Sequence, residues 1–293
     1  MRTLVAIVLG ASCAFLAMCP GDSLDSAGAG DAATTAAADT SDVQATLQRS
    51  RLFETQRGVR VNLSNEGDRD VRVEAVRLQS PWFEPVPSDP RDPVLRADDG
   101  PVAMPLSFGE ARCEGDTDDP TLVILTVDGE EVTLTAEESP PDLLAGLRDA
   151  ECDVASVREQ VDLRLGDRWE RTAPRTVVGT ITVSQLEAGA AVTVLGVEGN
   201  VIFDLDLVAA GPPYPPLDPP DALAEIDDDQ TAATIEIALT AARCDPHALI
   251  EYKRTFIFVA LVDTGDGEPV RVDVTAEGAA QRALQASLAA CIG

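Results

Sequence analysis

Cysteine is the residue type in this sequence whose spacing points most directly to a chemical role. Four of the six cysteines fall into two similar pairs. Cys113 and Cys244 both follow Ala-Arg, whereas Cys152 and Cys291 both close a short helical pattern, and the members of a pair are 39 and 47 residues apart. Zinc sites usually draw their cysteines from pairs only a few residues apart. The spacing therefore predicts two disulfides, Cys113–Cys152 and Cys244–Cys291, formed in an oxidising compartment.

Carboxylates are the second group that could do chemistry, because 51 residues are acidic. They cluster in three loops, of which two are Asp116–Asp119 and Asp227–Asp229. The third loop contains Asp263, Asp266 and Glu268, which are candidates for a calcium site because calcium takes about six to eight oxygen ligands. None of the loops has the ordered series of an EF-hand, and solvated loops are the commoner reading of such clusters. We therefore predict no cofactor and no metal, with calcium binding as the alternative.

A nucleophile motif is the third candidate, since Gly21-Asp-Ser-Leu24 matches the motif of the GDSL hydrolases. In that family the serine follows a core strand and a downstream Asp-x-x-His supplies the base. Here the only histidine, His247, has the wrong spacing and is expected in a loop. A nucleophile needs a base within hydrogen-bond reach, so we predict no catalytic residue. A carboxylate pair for glycoside hydrolysis is defined by separation in space, so a hydrolase stays open as an alternative.

The net charge excludes one class of partner. The chain has 22 basic and 51 acidic residues, which gives a formal charge of −29. Such a surface repels phosphate backbones and anionic lipid headgroups. We therefore predict no nucleic acid partner, and contact with a membrane only through an N-terminal lipid or signal anchor.

Residues 1–19 have the order of an export signal. Residues 4–18 form an apolar run that is short for a membrane span of about 20 residues. The run ends in Leu16-Ala-Met-Cys19, which resembles a bacterial lipobox, and this resemblance implies a lipid on Cys19. Methionine before the cysteine departs from the lipobox, so Cys13, cleavage without lipidation and an uncleaved anchor stay open. We expect export to the extracytoplasmic face of the cell membrane, or secretion if the chain is cleaved without lipidation.

Composition divides the rest of the chain into a tether and two domains. Residues 20–43 are mainly Ala, Gly, Ser, Thr and Asp and have too few large apolar side chains for a core, which is typical of a flexible tether. We predict β-sandwich domain 1 over residues 44–152 and β-sandwich domain 2 over residues 153–293. The proline-rich segment 212–220 is expected to cross between sheets in an extended form, with partner docking as the alternative.

Both predicted domains contain the same succession of strands and turns. Residues 122–127 and 132–135 flank Asp128-Gly129, and this dipeptide favours a tight hairpin turn. Residues 255–262 and 270–274 form the corresponding hairpin in the second domain. Repeated alternation of apolar and polar residues, with a turn about every twelve residues, predicts a β-sandwich.

A second hairpin is predicted upstream in each domain. It joins residues 59–63 to 71–76 in the first domain, around an Asn-x-Gly turn, and residues 177–183 to 192–197 in the second. The repetition of both hairpins and of the cysteine pairs indicates that one unit occurs twice.

Each domain is predicted to end in a short helix, over residues 142–152 and 281–291. Leu284 and Cys291 share a face of the second helix, so the surface that packs on the sandwich also delivers the sulfur. In the first helix, Ser139 is the expected N-cap, followed by proline in the first turn and an acid three residues on.

The strands, the Asn-x-Gly turn and the segment Ser80-Pro-Trp-Phe83 resemble bacterial immunoglobulin-like and fibronectin-like repeats. The chain is also similar to exported proteins of GC-rich Gram-positive bacteria. The resemblance implies a mainly β fold with two tandem immunoglobulin-like β-sandwich domains, each ending in a short disulfide-linked α-helix, and it implies no catalytic residues.

These features together predict a non-enzymatic, envelope-anchored module with a binding or structural role. Its partner would be an envelope protein or a wall polymer. The alternative is a calcium-dependent or carboxylate-based activity at the acidic loops, including a hydrolase.

Overall fold

The computed structural model describes residues 42–50, 53, 56–97, 99–115, 119–186, 191–208, 222–226, 230–265 and 268–292. All of them belong to one compact unit, Ala38–Gly293. Several predictions fall outside the described residues: those on residues 1–41, on Asp116 and Asp118, on the proline-rich segment 212–220, on Asp227–Asp229 and on Asp266.

The first half of the unit is built from short strands in two layers. The strands are β1 (Val43–Gln48), β2 (Gly58–Asn65), β3 (Val71–Arg72), β4 (Ala75–Gln79), β5 (Asp89–Pro90), β6 (Val94–Leu95), β7 (Val102–Ser107), β8 (Leu122–Val127) and β9 (Glu130–Ser139). One layer has the order β1-β2-β7 and the other β5-β4-β8. β9 joins them, because its first part pairs antiparallel with β8 and its last four residues pair parallel with β1.

The core of the first half lies between these layers. Side chains along β2 alternate between buried and half-buried positions, as expected for a sheet with one face on a core. Val61 and Leu63 of β2 pack in one cluster with Val76 of β4 and Leu125 of β8, and all four are buried. Burial of these apolar side chains from both layers stabilises the first half.

The second half contains a separate set of strands and its own core. The strands are β10 (Val161–Leu165), β11 (Glu170–Ala173), β12 (Thr176–Gln185), β13 (Val192–Glu198), β14 (Phe203–Leu207), β15 (Ala224–Ile226), β16 (Ala232–Ala241), β17 (Ile257–Asp263) and β18 (Val270–Thr275). One sheet has the order β10-β12-β16-β14, with β11 also on β12, and the other has the order β15-β13-β17-β18. The buried cluster includes Ile181, Ile237 and Phe258, which come from both sheets.

The two halves have the same pattern of strand pairing. In the first, β1, β2 and β7 are consecutive neighbours, as are β4, β8 and β9; in the second, β10, β12 and β16 correspond to the former, and β13, β17 and β18 to the latter. A short extra strand lies beside β4 and beside β13. The halves differ at one edge, because β18 makes no strand pair with β10, whereas β9 pairs with β1.

The predicted hairpins that join the last two strands of each half are confirmed. β8 and β9 are connected by Asp128 and Gly129, whose φ angles of 52° and 77° are those of a tight hairpin turn. β17 and β18 also pair antiparallel, across a longer loop in which Gly265 has a φ of 82°. Glycine is favoured at such positions because it lacks a Cβ.

The hairpins predicted further upstream are wrong. β2 pairs with β1 and β7, and β12 with β10, β11 and β16, so neither pairs with the strand that follows it. At both places the chain crosses to another sheet. The amide of Asn65 holds the first crossing, because it donates hydrogen bonds to the carbonyl oxygens of Arg69 and Leu95, at 2.7 and 3.0 Å. An Asn-x-Gly turn between strands therefore serves here as a crossing between layers, which its sequence does not distinguish from a hairpin.

Three helices complete the described fold: α1 (Leu143–Gln160), α2 (Pro246–Glu251) and α3 (Gly278–Ile292). α1 is longer than predicted, because it continues past Cys152 to Gln160 and leads directly into β10. Leu144 near its start belongs to the core of the first half, and Val157 near its end to the core of the second. α1 therefore contacts both cores.

The start of α1 also differs from the prediction. Ser139 is the last residue of β9 and does not cap the helix. The N-cap position is occupied by Asp142, which has a φ of 59° and makes no side-chain cap. Instead, the carboxylate of Glu138 accepts a hydrogen bond from the backbone N–H of Leu144, at 2.9 Å. A strand residue thus satisfies one of the free N–H groups of the helix.

In each half, a disulfide links a helix to the segment that follows a strand, β7 in the first half and β16 in the second. Cys113 is joined to Cys152 of α1, with their Cα atoms 5.4 Å apart, and Cys244 is joined to Cys291 of α3, with a Cα separation of 5.3 Å. These are the two pairs that the cysteine spacing predicts. None of the four sulfurs is free for catalysis or for metal binding.

Candidate functional site

A cleft of about 860 Å³ lies where the two halves meet. Its walls are the segment between β1 and β2, one face of α1, and β18. The segment contributes Arg49 and Arg57, α1 contributes Glu151 and Arg158, and β18 contributes Arg271. The cleft is therefore built from both halves of the unit.

Regular secondary structure places these side chains on the cleft. Leu147, Glu151, Val154 and Arg158 follow each other in α1 at spacings of three and four residues, so they share one helical face. Alternate residues of a strand point to the same side, and two such residues of β18, Arg271 and Asp273, both line the cleft.

A second cavity of about 440 Å³ adjoins the first. The two share Arg49, Arg271 and Asp273 in their walls, and the second adds Arg254 and Glu198. We call the two cavities together the arginine cleft. Five of the 22 basic residues of the chain line it.

Ion pairs orient most of these guanidinium groups. Arg57 lies 3.0 Å from the carboxylate of Glu151. Arg271 donates two hydrogen bonds to Glu198, at 2.7 and 2.6 Å, in the bidentate geometry typical of arginine and carboxylate. Arg254 is 2.6 Å from Asp273.

Arg158 and Arg49 complete the set. Arg158 donates to the backbone carbonyl of Asp273, at 3.4 Å, so its positive charge is not matched by a carboxylate at that contact. Arg49 is exposed and makes no ion pair with any residue that the structure describes. These two guanidinium groups are the ones that a ligand could engage without first displacing an internal carboxylate.

The arginine cleft differs in charge from the rest of the protein. Its five arginines face four carboxylates, those of Glu151, Glu159, Glu198 and Asp273, whereas acidic residues outnumber basic ones by 51 to 22 in the whole chain. Concave surfaces concentrate the field of the charges that line them. Arg57 also pairs with Glu110, at 3.5 Å, so the cleft is a local region of balanced charge on an acidic molecule.

Glu198 has a displaced pKa. The hydrogen bonds from Arg271 lower the pKa of this carboxyl below its ordinary value of 4.5, and the positive charge of Arg271 adds to this effect, whereas partial burial opposes it. The same pairing raises the pKa of Arg271. A general acid in hydrolysis needs a carboxyl with a raised pKa, so the displacement at Glu198 is opposite to the one that acid catalysis requires.

The chemistry suited to this arrangement is the recognition of anions. A guanidinium group presents a planar fork of N–H donors that matches the oxygens of carboxylate, phosphate and sulfate. Several forks along one trough can contact successive anionic groups of a single chain. Phe53 also lines the cleft and adds apolar surface to its wall.

The structure describes two of the three predicted calcium candidates, Asp263 and Glu268. The carboxylate of Asp263 accepts a hydrogen bond from the N–H of Gly265, at 2.7 Å, which holds the turn after β17. Glu268 is exposed, and Asp266 lies outside the described residues. Within the described parts of the chain, no group of three or more His, Cys, Asp or Glu side chains could hold a metal ion. Calcium binding at this loop stays a prediction.

His247 lies in α2, not in a loop as predicted. The helix begins here because Asp245 caps it. The carboxylate of Asp245 accepts a hydrogen bond from the N–H of Ala248, at 2.8 Å, which is the geometry of an N-cap. This bond and the contact with Arg243 lower the pKa of Asp245. The His247 ring is exposed and lies 3.3 Å from Glu251, one turn along the helix.

Sequence reasoning missed the arginine cleft. Its residues lie in a loop, a helix and two strand regions that are far apart in the chain, and arginine on the polar face of a strand, as in Val270-Arg-Val272, is typical of any solvated sheet. The available signal was the scarcity of basic residues, because in a chain with so few of them each arginine is a stronger candidate for a binding role.

No family model and no curated protein matches the sequence. Among solved structures, a protein of unknown function from Porphyromonas gingivalis is 14% identical, with 80% of this chain and 98% of that chain covered and a TM-score of 0.19. The calcium binding domain CBD12 of CALX1.1 is 8% identical, with 75% and 76% covered and a TM-score of 0.18. A mutant of Salmonella alpha-2-macroglobulin is 13% identical, with 82% and 15% covered and a TM-score of 0.23. These likenesses carry no argument about fold or function.

The two disulfides bear on where the protein resides. Disulfides form and persist outside the reducing cytoplasm, so their presence is in keeping with an extracytoplasmic protein. Of the helices that the structure describes, none combines the length and the apolar character needed to cross a membrane.

Proposed function

We propose that this protein is a non-enzymatic binding module of the cell envelope, and that the arginine cleft is its binding surface for an anionic wall polymer. The observation that carries the proposal is the convergence of five of the 22 basic residues on two adjoining cavities. On a chain with a net charge of −29, a surface with this many arginines differs from the acidic average of the chain. Recognition of an anion is a physical reason for it.

A linear polymer suits the cleft better than a single small anion. The two cavities have volumes of about 860 and 440 Å³ and share part of their walls, so they form a trough with room for several units. Arg49 lies in both cavities, and Arg158 and Arg254 lie in one each. Successive anionic groups of one chain could therefore contact different guanidinium groups.

The acidic remainder of the surface does not forbid such binding. At physiological ionic strength, charges in water are screened over about 8 Å, so the charges inside the trough dominate for a ligand that enters it. An extended polyanion that lies across the open surface, such as duplex DNA, instead meets many carboxylates at short range. A wall polymer that enters the trough can therefore bind, whereas binding of nucleic acid across the open surface is disfavoured.

We further propose that each half is an immunoglobulin-like domain and that the two arose by duplication. In the second half, the strand orders β10-β12-β16-β14 and β13-β17-β18 correspond to the ABED and CFG sheets of the immunoglobulin fold. The equivalent positions of the disulfides, from the segment after β7 or β16 to the helix that follows the last strand of that half, support duplication. We place the protein on a tether at the extracytoplasmic membrane face, with Cys19 as the lipidated residue.

Titration calorimetry on the whole protein tests the proposed binding. We expect a short linear polyphosphate and an oligogalacturonate to bind, and a neutral cello-oligosaccharide not to bind. Because hydrogen bonds to charged groups contribute about 1.5–3 kcal/mol, the double substitution Arg49→Gln and Arg271→Gln should weaken binding by at least about tenfold.

A matched control has the same change in net charge at a distance from the arginine cleft. Arg69 and Arg96 are exposed, with 68% and 69% of their side-chain surface accessible, and they do not line the cleft. The substitutions Arg69→Gln and Arg96→Gln should leave the affinity within about twofold. Equal loss of binding in both double variants, or no binding of either anionic probe by the unmodified protein, would contradict the proposal.

A further inference from the structure

The edge strand β10 lacks the neighbour that its counterpart has in the first half. There, the last four residues of β9, Ala136–Ser139, pair in parallel with β1 and cover its outer edge. In the second half, β18 ends at Thr275 and pairs with β17, while β10 pairs with β12. Among the described residues, no strand covers the other edge of β10.

The backbone of β10 is oriented to accept a further strand. The N–H of Val161 bonds to the carbonyl of Val157 in α1, so the backbone groups of Val161 point away from β12. Alternation along an antiparallel strand then turns the N–H and C=O groups of Leu163 and Leu165 to the same open side. Opposite them, the carbonyl of Asp273 also faces this side, since it accepts a hydrogen bond from Arg158.

A groove of about 710 Å³ runs along this edge. Leu186 and the half-buried Leu163 contribute apolar surface to it, whereas Leu165 and Val272, which also border the groove, are buried in the core. Leu186 has 58% of its surface exposed, which is high for a leucine that follows a strand of the sandwich. A strand placed in the groove would thus find backbone partners on one side and apolar contacts for alternate side chains.

The charge of the groove indicates what such a strand must carry. Its wall has four carboxylates, those of Asp162, Asp167, Asp273 and Glu277, and two guanidinium groups, those of Arg158 and Arg164. Arg164 lies 3.5 Å from Asp162, and Asp273 is paired with Arg254. Asp167 and Glu277 form no ion pair with any residue in the described parts of the chain. Arg158, which bonds to the backbone carbonyl of Asp273, offsets only one of these two carboxylates, so the net unmatched charge is negative.

Neither the predicted tether nor a second copy of the chain complements the charge of the groove. The predicted tether, residues 20–43, contains aspartates and no lysine or arginine, and a second copy of the chain would bring a further net charge of −29. Charge complementarity consequently favours a different protein as the source of the strand.

We infer that the open edge of β10 is a docking site for an extended segment of a partner protein in which basic residues alternate with apolar ones. The segment would lie beside β10 as Ala136–Ser139 lie beside β1. Its backbone would bond to Leu163 and Leu165, its apolar side chains would contact Leu186, and its basic side chains would pair with Asp167 and Glu277. This site is independent of the proposed polymer binding, although Arg158 and Asp273 border both cavities.

A synthetic peptide of about ten alternating lysine and valine residues is a suitable probe for the whole protein. Hydrogen exchange followed by mass spectrometry should show new protection of the amides of Leu163 and Leu165. Two further peptides carry N-methyl groups on alternate residues, in one phase or in the other. A paired strand uses alternate N–H groups on one side, so one methylated peptide should lose at least about tenfold in affinity and the other should bind nearly unchanged.

Variants of the protein separate the contributions of charge and backbone. The double substitution Asp167→Lys and Glu277→Lys should weaken the probe by at least about tenfold, whereas the control Asp68→Lys and Asp99→Lys, at exposed residues outside the groove, should change the affinity by less than threefold. The substitution Leu163→Pro removes an N–H that β12 does not use and should abolish binding. If that variant fails to fold, the methylated peptides still decide the question.

Equal affinity of the two methylated peptides, or protection at the other sheet edge, β14, in place of β10, would overturn the inference. So would the absence of any binding by the unmethylated peptide. The substitutions Arg49→Gln and Arg271→Gln should leave peptide binding intact, so failure of the strand site and failure of the polymer site are distinguishable.

Discussion

Individual arginines in this protein differ in whether a carboxylate already binds their guanidinium group. Arg271 is held by two hydrogen bonds to Glu198, and Arg112 is held in the same way by Glu84, so each guanidinium group has a carboxylate partner. Arg49 has none among the described residues. An anionic ligand competes with the internal carboxylate in the first case and not in the second. The strength of the arginine cleft therefore depends on its carboxylates as well as on its arginines.

Replacing Glu198 should release Arg271 to the ligand. We expect Glu198→Gln to raise the affinity for the polyphosphate probe by about threefold to tenfold, because one repulsive charge is lost and one guanidinium group is freed. Titration calorimetry at constant salt measures the change. Glu84→Gln is the control, since Glu84 pairs with Arg112 away from the cleft. An equal gain in both variants would show that only the net charge matters.

The same substitution should alter the acid stability of the fold. The pKa of Glu198 is lowered in the folded protein, so its pairing stabilises the fold above the unfolded pKa, and this contribution is lost as the pH falls through the folded value. We expect the decline in melting temperature below about pH 5 to be shallower in Glu198→Gln than in the unmodified protein. Thermal melts across this range check the sign.

Among the elements, α1 links the two halves because it packs in both cores. Leu144 packs in the first core and Val157 in the second, and the helix leads directly into β10. Arg148 fastens α1 to the chain around the first disulfide, because it donates to the carbonyl oxygens of Arg112, Cys113 and Gly115. Its guanidinium group also lies 5.2 Å from the centre of the Trp82 ring.

Loss of Arg148 should therefore destabilise the first half. We expect Arg148→Gln to lower the free energy of unfolding by about 1–3 kcal/mol, since three carbonyl groups lose a charged donor. Chemical denaturation followed by tryptophan fluorescence measures the effect. Arg168, which is exposed, offers the control Arg168→Gln, and this variant should change stability by less than about 0.5 kcal/mol. Similar values for the two variants would contradict the role given to Arg148.

For the whole molecule, the important feature is the presence of two separate cores in one compact unit. The buried residues divide into one cluster for each half. Each half also has one of the two tryptophans and one of the disulfides: Trp82 and Cys113–Cys152 in the first, Trp169 and Cys244–Cys291 in the second. The stability of each half can consequently be followed through its own tryptophan.

Removing one disulfide should affect mainly its own half. In a Trp169→Phe background, Cys113→Ser with Cys152→Ser should lower the stability reported by Trp82 by about 2–5 kcal/mol. In a Trp82→Phe background, the same pair of substitutions should shift the Trp169 signal much less. The reverse holds for Cys244→Ser with Cys291→Ser. Equal shifts of both signals would indicate that the halves unfold as one cooperative unit.

The sequence by itself determined the features that depend on local physics. Alternation of apolar residues predicted eight strand segments, including the four strands of the two confirmed hairpins, and Asp128-Gly129 specified a tight turn because both positions accept a positive φ. The spacing and surroundings of the cysteines indicated both disulfides. The short helix before Cys291 was also readable, since its apolar residues recur at helical spacing.

Only the tertiary structure decided which strands pair, where helices end and which polar side chains meet. The turn after Asn65 leads to another sheet, because the bonds of Asn65 to Arg69 and Leu95 hold it there. α1 passes Cys152 because the second core accepts Val157. The arginine cleft joins Arg49 to Arg271, which are distant in the chain. Contacts of this kind depend on how the sheets and helices of the two halves pack, and no local pattern of residues encodes them.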